Sequence, residues 1–232
     1  MPGRNVALSN GNYYHVLNRA VAYQKLFLEK DHYDRALELL NYYRNSKPPL
    51  RYSYFLRLPP DSKSKILKDL SCAKDFLVEI LAFSLMPNHI HLLVKQIKDN
   101  GISIFMGRFQ NSFTRYFNRK NTRAGHIFGG NFKAVRISSE EQLIHVIRYI
   151  KLNPLSAGVV KNFEELEQFP YASLSEYLGG RGDGYICSKD YFLSRFGSLN
   201  ELKTFISDNK DYQIQLQNIK RDILESYHTS KV

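Results

Sequence analysis

An α+β fold follows from three features of this 232-residue sequence. Short runs are rich in β-formers, two long stretches carry helical periodicity, and these elements follow one another in the order β-α-β-β-α-β-α. That order predicts an antiparallel sheet with helices packed on it in the ferredoxin-like, RRM-like style, followed by a small helical C-terminal appendage. With 43% hydrophobic residues the chain has ample apolar surface for a core. Its length suits one large domain, or a main domain with an appendage.

Residues 12–18, Asn-Tyr-Tyr-His-Val-Leu-Asn, read as the first strand because they are rich in β-formers. Residues 30–44 read as a helix that Asp31 can cap, with Tyr33, Ala36, Leu37, Leu39, Leu40 and Tyr43 as its apolar stripe. Residues 50–57 fit either a strand or a helix. The loop Pro59-Pro60-Asp61-Ser62 precedes a short helix over about 62–71, and strands over about 77–85 and 89–95 meet at the turn Met86-Pro87-Asn88. A helix over about 102–120 buries Ile102, Phe105, Met106, Phe109, Phe113, Tyr116 and Phe117, and turns Arg108, Arg115 and Arg119 outward. Gly125, Gly129 and Gly130 match no phosphate-cradling spacing and read as a turn before a strand at about 132–137. Ser139 and Gln142 then form a capping box, and Glu140 and Glu141 suit the positive helix N-terminus. This helix is expected to stop at Asn153-Pro154.

Residues 1–178 are expected to form the main domain. Gly179-Gly-Arg-Gly-Asp-Gly184 has the composition of a linker. Residues 185–232 then form a small helical region, with segments at 188–196, 199–208 and 211–227. Cys72 and Cys187 are expected to be buried, reduced thiols. The N-terminus lacks the apolar stretch of a signal peptide, and no apolar run approaches the ~20 residues of a membrane span. A soluble, cytoplasmic protein is expected.

The most informative segment is Leu85-Met-Pro-Asn-His-Ile-His-Leu-Leu-Val-Lys95. On a strand, residues i and i+2 share a face. His89 and His91 therefore project together while Ile90, Leu92 and Val94 pack behind them. Two neutral imidazoles on one face supply two-thirds of a small metal site; the alternative is a strand with two surface histidines.

Charge marks a second function. The net charge is +11, and no acidic residue occurs between Asp99 and Glu140, where Arg108, Arg115, Arg119, Lys120, Arg123, Lys133 and Arg136 lie. A single-sign block carried on ordered elements points to an anionic partner, most commonly nucleic acid, rather than a membrane surface. Tyr13, Tyr14 and Phe128 are candidates for base stacking as well as for the core. On the late helix, Tyr149 falls beyond the edge of the apolar arc and shares a face with Asn153, four residues on. A tyrosine so placed is either a nucleophile or a boundary residue that packs its ring and wets its hydroxyl. His145, one turn earlier, is a candidate base. Tyr116, the rival nucleophile, lies on the apolar stripe.

Taken in order, Met86-Pro-Asn-His-Ile-His-Leu-Leu-Val94, the basic helix ending Thr114-Arg-Tyr-Phe-Asn118, and Arg148-Tyr-Ile-Lys-Leu-Asn-Pro154 resemble the REP-associated tyrosine transposases, a group of single-tyrosine HUH endonucleases. The resemblance spans roughly residues 8–178. It departs at Tyr171-Ala-Ser-Leu-Ser, where relatives usually read Trp-Ser-Ser.

The resemblance implies that His89 and His91 bind a metal, that Asn153 supplies a polar third ligand, and that Tyr149 is the nucleophile. It further implies cleavage of single-stranded DNA beside a REP-like hairpin, through a 5′-phosphotyrosine and a free 3′-hydroxyl, with rejoining by the reverse attack. Such chemistry suits a cation that offsets the phosphodiester charge. A mixed imidazole and amide set favours Mg²⁺ or Mn²⁺, without excluding Zn²⁺. A homodimer is compatible with these features. The competing readings are a domesticated, non-catalytic binder of hairpin DNA or RNA, and a hydrolytic metalloenzyme acting on small phosphates. The last is disfavoured because no carboxylate lies near the histidine motif in sequence.

Overall fold

The computed structural model describes residues 7–180 and 186–208. Strand β1 (Tyr13–Arg19) leads into helices α1 (Lys30–Tyr43), α2 (Tyr52–Phe55) and α3 (Pro60–Ala73). The hairpin β2 (Val78–Met86) and β3 (His89–Gln96) follows, then α4 (Gly101–Lys120), β4 (Lys133–Arg136) and α5 (Glu140–Ser156). The shorter helices α6 (Phe163–Gln168), α7 (Ser173–Tyr177), α8 (Asp190–Leu193) and α9 (Leu199–Ser207) complete the described residues.

The sheet runs in the order β2-β3-β1-β4 with every neighbouring pair antiparallel, which is the ferredoxin-like arrangement. Its two faces are assigned by strand register. On one face Val16, Phe83, Leu85, Ile90 and Leu92 are completely buried. Helix α4 lies over that face, where Gln110 Nε2 donates to Asn18 Oδ1 at 2.9 Å and the Ile102 amide donates to Gln96 Oε1 at 3.2 Å. Helix α1 packs beside α4. The helical stripe behaves as its spacing predicts: Ile102, Phe105, Met106, Phe109 and Phe113 have no exposed surface. The Phe113 ring lies 5.3 Å from Phe27, 5.9 Å from Phe109 and 6.2 Å from Phe128. Phe128 and Tyr14 are thus core residues rather than base-stacking platforms, and the Tyr14 hydroxyl is held by Ala7 O and the Ser9 amide. Helix α5 covers the opposite face of the sheet, against β2 and β3.

Several boundaries differ from the sequence expectation. Helix α5 continues through Pro154 to Ser156. A proline costs one i→i−4 bond inside a helix, but the last turn is retained because Leu152, Asn153 and Pro154 are buried, and Ala157 N and Val159 N bond Asn153 O and Pro154 O at 3.0 and 2.8 Å. Asp31 does not cap α1. The N-cap position is Glu29, and Asp31 instead pairs with Lys120. Residues 50–57 resolve as the single turn α2, while α3 begins at Pro60, where proline is pre-set for a first helical position. No residue of α3 is buried, so Cys72 is exposed and only Cys187 is inside; both are free thiols. Helices α6 and α7 are too short to show periodicity in the sequence.

The segments expected at 188–196 and 199–208 appear as α8 and α9, while 211–227 lies outside the described residues. Phe192, Leu202 and Ile206 are fully buried, Phe192 meets Tyr177 at 5.6 Å, and Ile80 bridges to Cys187. Residues 186–207 therefore share the main core. Among the described residues, no helix is long and apolar enough to cross a membrane.

Gly101, the first residue of α4, faces the sheet so closely that a Cβ would stand 2.3 Å from the Leu77 carbonyl oxygen. Gly101→Ala is expected to lower the unfolding free energy by about 1–3 kcal/mol. Gly107→Ala on the same helix, where nothing lies within 4 Å of the new Cβ, should be neutral or stabilising by up to about 1 kcal/mol. Urea denaturation of the two variants checks the contrast; equal midpoints would show that the α4 entry has slack.

Candidate metal and tyrosine site

The face of the sheet under α5 carries the histidines. In the β1–β3 register, Leu17 stands opposite His91, Arg19 opposite His89, and His15 opposite Leu93. Directly paired residues project to one side of an antiparallel sheet. His15, Arg19, His89 and His91 therefore share a face. Lys133 joins them, paired with Leu17 across β4.

The imidazoles are linked to one another and to their neighbours. His15 Nε2 lies 2.9 Å from His91 Nδ1, with the two rings stacked at 5.1 Å. His89 Nδ1 lies 2.6 Å from Asn88 Oδ1. An amide oxygen only accepts, so the Nδ1 of His89 carries the proton and its Nε2 keeps a lone pair. Burial lowers the pKa of His15 to about 4 and that of His89 to about 4, the latter with help from the Arg19 charge. His91 is depressed well below its ordinary value, mainly by burial and then by His15, His89 and Arg19. All three rings are neutral near pH 7, the form that ligates metals.

Tyr149 closes the site from above. Its ring centroid lies 5.6 Å from His91 and 5.9 Å from His15, edge-on to both, and the residue is only 8% exposed. The angle that puts Tyr149 off the main apolar arc of α5 directs it toward the imidazoles. Asn153, one turn further along α5, is buried, and its Nδ2 has no hydrogen-bond partner among the described residues. His145 points elsewhere, with Nε2 3.9 Å from Glu141 Oε1. No cluster of three or more His, Cys, Asp or Glu suited to a metal occurs among the described residues.

Helix α5 is held over the sheet from behind by unusual means. Arg148 Nε donates to Ile206 O at 3.3 Å, with its guanidinium 5.1 Å from the Phe205 ring. Lys151 is fully buried with Nζ 3.0 Å from the centre of the Tyr177 ring, and burial lowers its pKa to about 7. Both cations flanking Tyr149 in sequence therefore serve packing rather than the site.

With this geometry in place, comparison with known proteins is informative. Residues 62–153 match the family model described as Transposase IS200 like. The match covers less than half of the 232-residue chain. That segment begins within α3 and ends at Asn153, so it contains the histidine hairpin, the basic helix α4 and the Tyr149 helix, but not β1 with His15 and Arg19. A solved structure of a REP-associated tyrosine transposase bound to a REP hairpin aligns at TM-score 0.53 and 16% identity, covering 81% of this chain and 96% of that one. At that identity the likeness is one of fold. A putative transposase from Deinococcus radiodurans R1 aligns at TM-score 0.33 and 16% identity, over 65% of this chain and 95% of that one, too low to carry a shared fold. No curated protein matches the chain.

Within the transposase-like segment and just beyond it, the basic residues disperse. Of the seven basic residues between Asp99 and Glu140, Lys133 alone shares the histidine face. Arg108 donates to the carbonyls of Asn45 and Ser46 at 3.4 and 3.1 Å, and Lys120 pairs with Glu29 and Asp31 at 2.7 and 3.0 Å. Arg123 donates to Gln24 Oε1 at 2.8 Å, and Arg136 to Asn12 Oδ1 at 3.0 Å. Arg115 and Arg119 are exposed on α4, on the far side of the sheet from Tyr149. Tyr116 is half-buried there rather than part of the core, donating to the Asp31 carbonyl at 3.1 Å. Tyr13 stacks on Tyr191 at 6.2 Å. Sequence reasoning missed His15 and Arg19. The available signal was period two on β1, which puts residues 15 and 19 on one face.

The depressed histidines make folding sensitive to acid. A histidine with a lowered folded-state pKa binds its proton more readily when unfolded, so stability is complete above about pH 6.5 and falls as the pH drops toward 4. For His15 the shift corresponds to a loss of order 3 kcal/mol across that window. Denaturant titrations at pH 7 and pH 4.5 should show a smaller acid-dependent loss in His15→Gln than in the wild type.

Proposed function

We propose that this protein is a metal-dependent enzyme that cleaves and rejoins single-stranded DNA beside a hairpin, with Tyr149 as nucleophile. The single observation that carries the reading is the placement of the Tyr149 ring edge-on to His91, above a pair of neutral imidazoles on one sheet face. The transposase-like segment containing all three residues supports it.

The donor set fits a small divalent cation, Mg²⁺ or Mn²⁺. His89 and His91 would bind through Nε2, each with Nδ1 engaged by a neighbour. The buried Asn153 amide, whose Nδ2 has no hydrogen-bond partner among the described residues, would complete the set through its oxygen. When bound, such a cation offsets the negative charge of the scissile phosphate and polarises phosphorus.

The chain's own groups do the rest. Tyr149 Oη attacks phosphorus, and a P–O bond to tyrosine forms while the bond to the 3′-oxygen breaks. The phenol loses its proton and the departing 3′-oxygen gains one, so the strand ends as a 3′-hydroxyl and a 5′-phosphotyrosine. One phosphodiester replaces another, which lets a 3′-hydroxyl reverse the step without an added energy source. Arg19 and Lys133, on the same face, would draw the phosphate in. His15 is a positioning residue: its Nε2 accepts from His91 Nδ1–H, holding His91 in the tautomer whose Nε2 is free to ligate. Outer partners of this kind orient metal-binding imidazoles generally.

Tyr149→Phe should abolish the SDS-resistant protein–DNA adduct formed with Mg²⁺ or Mn²⁺ on a hairpin-flanked strand, leaving hairpin affinity within about twofold, because the phenol contributes chemistry rather than binding. Adducts that persist in this variant would remove Tyr149 from the mechanism. Hairpin binding by the wild type without any adduct, whatever the cation, would instead favour a binding protein. For His15→Ala, calorimetric titration with Mn²⁺ should show affinity weakened about 10–100-fold, with partial recovery in His15→Gln.

A further inference from the structure

The chain leaves β1 through an unfavourable backbone conformation. Ala22 and Tyr23 both have left-handed φ, 49° and 56°. Neither is glycine, and a bulky side chain in that region is uncommon and strained. The conformation is imposed from two sides. From the loop between α4 and β4, Ile127 O accepts from the Val21 amide at 2.9 Å and from Gln24 Nε2 at 3.2 Å, while Arg123 Nη1 donates to Gln24 Oε1 at 2.8 Å. From the β2–β3 turn, Pro87 O accepts from the Leu26 and Phe27 amides at 2.7 and 3.1 Å, and Asn88 O accepts from the Ala20 amide at 2.8 Å. None of these bonds involves the side chain of Tyr23.

That side chain is what the clamped loop presents. Tyr23 is 66% exposed, more than any other large apolar side chain among the described residues. A ring so exposed gains little from packing, so burial does not account for the strained turn beneath it. Its position is informative. The Arg19 guanidinium lies 5.2 Å from the centre of the Tyr23 ring, and Arg19 stands opposite His89 across the β1–β3 pair. The Tyr23 carbonyl accepts from Asn88 Nδ2 at 3.5 Å, and Oδ1 of the same Asn88 lies 2.6 Å from His89 Nδ1. One side chain, Arg19 or Asn88, thus separates Tyr23 from the imidazole pair. A guanidinium on the histidine face contacts phosphate, and an open aromatic ring next to it offers a surface on which a base can stack. Only an unpaired base has a face free to do so.

We infer that Tyr23 is a stacking platform for one unpaired DNA base next to the scissile phosphate, with Arg19 between the ring and the imidazoles holding the intervening backbone. The inference rests on the DNA-processing reading above and deepens it, by adding to the reacting centre a subsite for a base. Tyr23 is a positioning residue in this scheme and takes no part in bond making. Both Arg19 and Tyr23 precede the transposase-like segment, which begins at residue 62.

The test is equilibrium binding by the full chain carrying Tyr149→Phe, which separates strand binding from cleavage. The probe is a fluorescent DNA hairpin with an unpaired flanking strand, whose unpaired nucleotides are made abasic one at a time. Adding Tyr23→Ala should weaken binding of the intact probe about 5–100-fold, the range for loss of one stacked base. At one position, removing the base should weaken binding by the parent chain to a similar extent. The two losses should not add: Tyr23→Ala should bind that abasic probe within about twofold of the intact one. Tyr23→Phe, which keeps the ring, should stay within about twofold of the parent. Mn²⁺ affinity and the urea midpoint should be the same in all Tyr23 variants. Intact-probe binding by Tyr23→Ala within twofold of the parent would overturn the inference. Fully additive losses at every position would do the same, because ring and base would then not touch. A Tyr23→Phe chain as weak as Tyr23→Ala would show that the hydroxyl acts rather than the ring, and a lowered urea midpoint or Mn²⁺ affinity in Tyr23→Ala would reduce the residue to a support for the loop. Each of these outcomes leaves the Tyr149 chemistry standing. A parent chain that bound neither intact nor abasic probe would remove this inference together with the reading beneath it.

Discussion

Strand alternation is the constraint on which this molecule rests. In β3, Ile90, Leu92 and Val94 enter the core under α1 and α4, and so His89 and His91 must face the other way, under α5. Slipping the register by one residue would bury both imidazoles in the phenylalanine-rich layer and expose the core residues in their place. The apolar side of the strand thus enforces the polar side. The same rule on β1 puts His15 and Arg19 beside the pair, because Val16 and Tyr14 are committed to the opposite layer.

Burying three histidines together is costly unless each is neutral and its ring nitrogens are satisfied. Here one ring supports another: His15 stacks on His91 and shares a hydrogen bond with it, while Asn88, from the tight turn, holds His89. Helix α5 completes the enclosure. Its own position depends on contacts behind it, chiefly Lys151 against Tyr177 and Arg148 against Phe205 and Ile206. Glu176 ties the start of the following segment to the same region by accepting from the Ile186 and Cys187 amides at 3.1 Å. The placement of Tyr149 thus depends on residues up to sixty positions away in sequence, and on charged groups that never reach solvent.

The charge of the protein is divided in a corresponding way. The excess of arginine and lysine in residues 100–139 suggests one continuous basic track. In the folded chain it separates into residues that pin loops and helix ends, one lysine on the histidine face, and a pair of arginines on α4 that meet two more from the α2 loop. Net charge is a property of composition, whereas a field with direction requires that like charges be brought to one surface and their neutralising partners kept away. Lys120, close in sequence to Arg119, illustrates the difference: Glu29 and Asp31, ninety residues earlier, neutralise it.

How much was legible in the sequence follows from the range of each interaction. Periodicity is local, so the strands, the amphipathic α4, the Ser139 cap of α5 and the shared face of His89 and His91 could be read directly, as could the angular offset of Tyr149. The short helices α2, α6 and α7 could not, because one or two turns carry no period. Pro154 read as a stop because the rule for proline is local, while the burial that carries α5 past it is not. Pairing across strands is also non-local. Nothing in residues 12–18 alone reveals that His15 will lie 2.9 Å from His91, that α5 will close over that face rather than the other, or that two loop arginines will complete a groove with α4. The sequence by itself determined which side chains point the same way along each element. Only the tertiary structure decided which elements face one another, because the burial that drives their packing is non-directional and summed over the whole chain.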